Sequence, residues 1–375
     1  MNILLIATFS GISGATKSLI SVAKGLKERG HNVTVFTGTK GELQDILKKN
    51  DIQYIYSRSF VWVKPEEQKF TSIDKLKNSI KKIKNLHTEF FIYRFIKKEN
   101  IDIVHINALT ANWGAKATLL SKSKLIWHIR EMLPIGINKE FIDKENSFKL
   151  INKANNAIAI SNAVYDYYKD DLNNMVMIYN AIDTDIKVAR KPILSDDVIK
   201  LTFIGRIVPG KGLIELINAC RILKQKEINF KLEIYGSGDE RYIDQLKKLA
   251  NQYSLNRNIY FKGFTNNINQ IWQNSDIALV CTKAEAFGRV TIEAMVNQTL
   301  VIGANTGGTI ELIGNNRGLL YEQGNSDDLA QKIIVAINNK DMSREMVESA
   351  YEYVKQNFHI DILLDNIEKV YSKKS

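Results

Sequence analysis

Cysteine is nearly absent: this 375-residue chain has two, Cys220 and Cys281, each alone inside an apolar run. Two isolated thiols exclude a disulfide framework, and with no CxxC spacing they exclude a zinc site, so both read as buried core residues. The five histidines, at 31, 87, 105, 128 and 359, form no ligand pattern either. Long hydrophobic runs are missing, since none approaches the roughly 20 residues needed to cross a bilayer. The apolar opening at 3–9 is too short for a signal-peptide core, has no basic leader and runs into a Gly/Ser loop, so the chain is expected to stay in the cytoplasm. The GxGxxG fingerprint is broken after the first strand, which disfavours a nicotinamide enzyme, and no GxxxxGK[ST] phosphate loop occurs. Despite a formal net charge of +11, there is no zinc finger, RNA-binding signature or run of interleaved aromatics, so no nucleic-acid partner is expected.

With 45% hydrophobic and 25% charged residues the composition is that of an ordinary globular protein, and 375 residues exceed what one core usually supports. Short apolar runs alternate with helical patterns throughout, which predicts an α/β class of doubly wound parallel sheets. Candidate strands in the first half are 3–9, 33–36, 101–106, 124–129, 157–160 and 176–179. Charged residues and one of only four prolines, Pro192, interrupt the rhythm at 184–200, where the linker is expected. Two domains follow, 1–185 and 186–358. The second restarts with strands at 201–204, 230–235, 258–261, 277–281 and 300–303, separated by helices at 212–226, 240–253, 289–296 and 309–313. Such sheets bind ligands outside the carboxyl ends of their strands, so a cleft between two facing sheets is the expected site.

The positive charge is concentrated. Residues 64–98 carry ten Lys/Arg against four Asp/Glu, and Leu76, Ile80, Ile83, His87 and Phe90 recur at helical spacing. That pattern predicts an amphipathic helix with a strongly basic outer face, either simply solvated or meeting an anionic membrane surface.

Several strand-end loops carry chemistry. FSGISGAT (9–16) joins a strand to a helix whose backbone amides, around Gly11 and Gly14, could meet a phosphate. GRIVPGKG (205–212) places Arg206 and Lys211 on either side of a Pro-Gly turn; a planar fork and a point charge together suit a diphosphate. EAFGRVTIE (285–293) is the most specific signal: Glu285 and Glu293 bracket Gly288 at a helix start. Ionised carboxylates accept from vicinal sugar hydroxyls, and the helix N-terminus between them suits the joining phosphates. TGGTIE (306–311) and GSGD (236–239) read as turns whose glycines allow close backbone approach, with Asp239 a helix cap. His128, in WHIRE, ends a first-domain strand where the cleft is expected, with Arg130 and Glu131 beside it on the acceptor side. Asp183-Thr-Asp185 matches a DxD metal motif but falls at the linker, and no metal role is assigned to it.

Together these stretches resemble the retaining family 4 glycosyltransferases of GT-B fold (glycosyl transferases group 1), over nearly the whole chain. The matching segments are FIGRIVPGKG, YGSGDE, FKGF, KAEAFGRVTIEAM, NTGGTIELI and GLLY, and more loosely WHIRE, AISNAV and IYNAID. The resemblance implies an acceptor-side first domain, with a C-terminal helix at 359–375 packing back on it, and a second domain that binds a UDP- or GDP-linked sugar. It implies that Arg206 and Lys211 hold the diphosphate, Glu293 the ribose and Glu285 the hydroxyls of the transferred sugar. Backbone at Gly205, Gly236, Phe287, Gly288 and Val290, with Phe264, would complete the donor site. Gly14 and Ala15 would approach the donor phosphates and His128 the reaction centre. The loop Ser13-Gly14-Ala15-Thr16 departs from the Gly-Gly-Ala/Glu type of many relatives.

The implied activity is transfer of a hexose to a saccharide or lipid-linked saccharide in cell-surface polysaccharide assembly, with no metal and no other cofactor. Stabilising the departing nucleoside diphosphate would be the main task. Retention would follow a front-face route, with Glu285 positioning substrate and domain closure excluding water. Two other readings stand beside it: a nucleotide-sugar epimerase of the same architecture, and an inactive nucleotide-sugar-binding scaffold at the membrane.

Overall fold

The computed structural model describes residues 1–186, 188 and 193–373. Pro192, on which the expected linker was placed, lies outside the described residues, as do the last two residues of the expected C-terminal segment. The chain divides into an N-terminal unit, Met1–Ala181 with Ile360–Ser375, and a C-terminal unit, Ile182–His359.

The N-terminal unit contains β1 (Asn2–Ala7), α1 (Gly14–Glu28), β2 (Asn32–Thr37), α2 (Glu42–Lys49), β3 (Gln53–Tyr56), β4 (Val63–Pro65), α3 (Ser72–Lys98), β5 (Ile103–Ile106) and α4 (Ala115–Leu119). It continues with β6 (Lys124–Ile129), β7 (Lys139–Phe141), α5 (Lys144–Ile151), β8 (Asn156–Ala159), α6 (Asn162–Tyr168) and β9 (Met175–Met177). Seven strands form one parallel sheet in the order β3-β2-β1-β5-β6-β8-β9, while β4 and β7 pair antiparallel apart from it. Strands covered on both faces need apolar residues at successive positions, which is why β1 (NILLIA) is buried from Ile3 to Ala7.

The C-terminal unit contains β10 (Ile199–Ile204), α7 (Leu213–Gln225), β11 (Phe230–Tyr235), α8 (Glu240–Gln252), β12 (Ile259–Gly263), α9 (Ile268–Gln273) and β13 (Ile277–Val280). Then come α10 (Arg289–Val296), β14 (Leu300–Ala304), α11 (Gly307–Ile313), β15 (Leu319–Tyr321), α12 (Ser326–Asn338) and α13 (Lys340–Asn357). Its six strands are parallel in the order β12-β11-β10-β13-β14-β15. Both cysteines are buried in its core, Cys220 on α7 and Cys281 just after β13. Two doubly wound parallel-sheet domains of this kind are the GT-B fold.

The last helix, α14 (Ile360–Ser372), belongs to the N-terminal unit and packs on α1. Arg29 at the end of α1 holds Asp361, Asp365 and Glu368 at 2.9, 2.6 and 2.7 Å, and Leu363, Leu364, Ile367 and Tyr371 enter the unit's core.

One expectation is corrected here. The basic helix is present from Ser72 to Lys98, while residues 63–65 pair with β7 and Lys64 binds Glu140 at 2.6 Å. Its recurring apolar positions, however, face outward: Leu76, Ile80, Ile83 and Phe90 are exposed, while Thr88, Ile92 and Ile96 are buried. Polar contacts hold the inner face. Asn85 bonds Phe60 through both its backbone groups, and Glu89 accepts from Gly114 and Ala117 at the start of α4.

Candidate active site

In a doubly wound sheet the crevice for a ligand opens where strand order reverses, because the two loops leaving there diverge. In the C-terminal unit that point lies between β10 and β13. The two departing loops are the ones singled out by sequence, 205–212 and 281–288. They are fastened together before they part: Lys283 N donates to Gly210 O at 2.9 Å, and a Cβ at Gly212, whose φ is +72°, would stand 2.1 Å from Cys281 O. Glycine is the residue that fits there.

Above this junction is a cavity of about 220 Å³ lined by Gly205, Arg206, Lys211, Glu285, Gly288 and Val290, together with Thr282 and Arg289. Lys211 Nζ lies 3.2 Å from Glu285 Oε2 and 3.2 Å from Thr282 Oγ1. Arg289 Nε meets Glu293 Oε1 at 3.0 Å across one helical turn. Arg206 is exposed, with no carboxylate partner among the described residues. Gly288, at φ +100°, gives α10 no side-chain cap, so the positive end of the helix is open to an anion. A paired ammonium, an exposed guanidinium and an uncapped helix start converge on a cavity edged by Glu285; Glu293 does not line it and is reached through Arg289, which does. That arrangement can bind a diphosphate and orient hydroxyl groups beside it.

Other residues expected at the donor site have different surroundings. A Cβ at Gly236 would lie 1.8 Å from Gly205 O, and Gly307 and Gly308 press equally closely on Glu285 O and Phe287 O. These glycines therefore seat neighbouring loops against one another, and Gly308 N donates to Glu285 O at 2.8 Å. The Phe287 side chain is buried edge-on against Phe358. Phe264 is exposed and does not line the cavity. Asp239 caps α8 by accepting from Arg241 N and Tyr242 N. Asp185 faces Lys355 and His359, each at 3.5 Å. No group of three or more potential metal ligands occurs among the described residues.

In the N-terminal unit the strand order reverses between β1 and β5. After β1, Ser13 caps α1 by accepting from Thr16 N, leaving Gly14 and Ala15 at the helix start. After β5, Asn107 donates to Ala15 O at 3.2 Å and accepts from Arg130 Nε through both Oδ1 and its own carbonyl. Arg130 is nearly buried and also donates to Asn180 Oδ1 at 3.2 Å and to His128 Nδ1 at 3.3 Å. His128 is wholly buried, one step behind Arg130. Because arginine only donates, His128 Nδ1 must accept; His105 Nε2, 3.0 Å away, then donates to it and accepts in turn from Tyr371 at Nδ1. His128 Nε2 carries the remaining proton and has no partner among the described residues. Both rings stay neutral. Burial first, and the Arg130 charge second, push His105 down to about 3 and hold His128 well below the usual range. Glu131 accepts from Leu109 N, and burial pushes its carboxyl up to about 6.

Two family descriptions divide the chain between them. "Glycosyltransferase Family 4" matches residues 12–186, and "Glycosyl transferases group 1" matches residues 185–353. The chain is a glycosyltransferase of this type. An uncharacterized glycosyltransferase of Methanocaldococcus jannaschii is 25% identical over 97% of this chain and 95% of its own length. The capsular polysaccharide biosynthesis glycosyltransferase CapM of Staphylococcus aureus is 29% identical over 48% of this chain and 47% of CapM. Among solved structures, HepE of Anabaena in complex with UDP superposes with a TM-score of 0.80 at 21% identity, over 99% of this chain and 100% of HepE. A glycosyltransferase from Rickettsia africae gives 0.80 at 24% identity, over 99% and 97%. Both share the fold.

Sequence reasoning missed four residues that this glycosyltransferase places at its strand ends: Thr282 and Arg289 beside the cavity, Asn107 and Asn180 around Arg130. Arg289 carried a readable signal, since it stands four residues before Glu293 at a helix start, where an i,i+4 pair forms. The asparagines carried none, because their partners lie 23 and 50 positions away.

Proposed function

We propose that this glycosyltransferase moves a hexose, with retention of configuration, from a uridine diphosphate sugar to a saccharide or lipid-linked saccharide acceptor in polysaccharide assembly. The observation that carries the reading is the cavity at the β10/β13 reversal, where Arg206, Lys211 and the uncapped start of α10 surround a space edged by Glu285, with Glu293 held one turn along α10 by the lining residue Arg289. At about 220 Å³ it is smaller than the roughly 300–1,000 Å³ of sites for drug-sized ligands, so it suits part of a nucleotide sugar. Uridine is favoured over guanosine by the complexes of HepE with UDP and with UDP-glucose. A polyanionic or capsular acceptor is favoured by the names of two relatives, CapM and a poly(ribitol-phosphate) α-N-acetylglucosaminyltransferase of Staphylococcus aureus, although the matches take in only 47% and 43% of those proteins.

In this reading the leaving diphosphate develops negative charge beside Lys211 and Arg206. Preorganised cations and helix amides stabilise that charge without reorganisation cost. The Lys211–Glu285 pair is then exchanged for donor: Lys211 turns to the phosphates and frees the Glu285 carboxylate to accept from hydroxyls of the transferred sugar. Glu293, fixed by Arg289, accepts from the ribose. Arg130 stands ahead of the buried His128, so it is the side chain of that strand end better placed to meet a ligand.

Calorimetric titration of the purified chain with UDP, GDP, ADP and their common sugar conjugates, without added metal, tests the donor. Selective binding of UDP that is lost in Lys211→Ala is expected. Equal or absent binding of all three nucleotides would sink the assignment. The anomeric configuration of the product, read by proton NMR, tests retention.

A further inference from the structure

Helix α3 leaves a row of apolar side chains without a partner. Ile73, Leu76, Ile80 and Ile83 recur three or four apart on one side of the helix, with Phe90 seven residues further on, and they are 65%, 65%, 47%, 66% and 58% exposed. The opposite side, with Thr88, Ile92 and Ile96, is the one the N-terminal unit buries. Contiguous apolar surface of this size on a folded protein marks a place of contact.

The charges around the row say what kind of contact. Lys77, Lys81, Lys82 and Lys84 lie on the same stretch of helix. The two carboxylates nearby are engaged locally: Asp74 in the cap with Thr71, Glu89 at the start of α4. Lys77 and Lys84 stand one turn from Ile73 and Ile80 and border the row, while Lys81 and Lys82 share the side of Asn85 and line a groove of about 620 Å³ with Asp143, Lys116, Lys149 and Lys153. A second copy of this chain would set one lysine-rich helix against another, and like charges on adjoining helices repel. An anionic lipid surface offers the complementary charge and, just beneath it, an apolar phase. A helix with one apolar side and lysines along its borders is the form that lies in such an interface.

We propose that α3 is an interfacial helix, seated in the surface of an anionic phospholipid bilayer with Ile73, Leu76, Ile80, Ile83 and Phe90 among the acyl chains and its lysines at the headgroup phosphates. Binding draws on two sources, apolar burial and charge. It does not depend on which donor the enzyme uses.

Co-sedimentation of the full chain with phosphatidylcholine vesicles, with and without phosphatidylglycerol, reads this directly. The chain is expected to partition onto the phosphatidylglycerol vesicles and to leave them as salt is raised. Replacing Leu76 and Ile83 together by serine should weaken partitioning by about tenfold or more while hardly changing the melting temperature, since these side chains are 65% and 66% exposed. Lys77→Gln with Lys84→Gln should weaken it less and flatten the salt dependence. No partitioning onto anionic vesicles, or equal partitioning of the serine variant, overturns the proposal. So does a lipid-free dimer, seen by light scattering, that the serine substitutions disperse, because the row would then belong to a second copy. Nucleotide binding measured on the same preparations without lipid stands or falls separately.

Discussion

The two strand-end regions hold their polar groups in opposite ways. At the β10/β13 reversal the charges are partly exposed and form local ion pairs, Lys211 with Glu285 and Arg289 with Glu293, while Arg206 has no carboxylate partner among the described residues. At the ends of β5 and β6 the polar groups are buried and bonded to one another, in a chain running from Ala15 through Asn107, Arg130 and His128 to His105 and Tyr371, in which His128 Nε2 has no partner among the described residues. An exposed pair is exchanged easily for a ligand, since water and ligand replace what is lost. A buried chain is not, since each member left unpaired carries its desolvation cost. The first region is therefore expected to govern turnover and the second to govern stability and position.

Lys211→Ala gives the largest expected effect and the sharpest contrast. It should lower transfer by roughly 10²- to 10³-fold, as loss of one preorganised charge-stabilising group does. The melting temperature should fall far less than activity, because a single partly exposed ion pair contributes little to folding. A variant that unfolds earlier but turns over normally would reverse the roles of the two regions. Arg130→Ala should do the opposite in emphasis. Removing a buried donor leaves acceptors on Asn107 and Asn180 unmet and takes one of two donors from His128 Nδ1, at a cost of about 2–4 kcal/mol in urea unfolding. Arg130→Lys keeps the charge without the fork and should recover part of that stability.

Gly236→Ala probes the packing beneath the cavity. Its Cβ would fall 1.8 Å from Gly205 O at a φ of +146°, so the loop must move, for an expected loss of about 1–3 kcal/mol. The displacement falls on the β10 loop that carries Arg206, so nucleotide affinity should fall with it. Unchanged affinity would show that the loop absorbs the shift elsewhere.

How much of this could be read from sequence follows the same division. The C-terminal unit was legible because each signal is local: β13, α10 and β14 lie at the expected positions to within one residue, and the charged loops follow their strands directly. In the N-terminal unit β3, β4 and β7 were not anticipated. The last two are three residues each and exist only as a pair brought together from 63–65 and 139–141. Helix α3 was legible as a helix but not in its orientation. Periodicity shows which residues share a side, and here Asn85 and Glu89, bonded to distant backbone, decided which side turned inward. His128 is the same lesson in one residue. Its place at a strand end was readable, whereas its burial behind Arg130 depends on His105 and on Tyr371, which lies 266 positions from His105.

The buried pair of histidines gives the smallest effect, and its sign is fixed. Both are neutral in the folded chain, with His105 pushed down to about 3 from 6.5, and both are free to take up protons when unfolded. Between those two values the unfolded chain binds more protons, so stability rises with pH through that window and is lost as pH falls from 6.5 towards 3. His105→Gln removes one of the two titrating groups and keeps a side chain able to bond both neighbours. Urea midpoints of the two proteins should therefore converge on acidification, the parent losing roughly 1 kcal/mol more than the variant over about one pH unit below 6.5. Parallel curves would mean that His105 is charged in the fold. Arg130 would then share its pocket with a second cation, and the N-terminal strand ends would be as electrostatically open as those of the C-terminal unit.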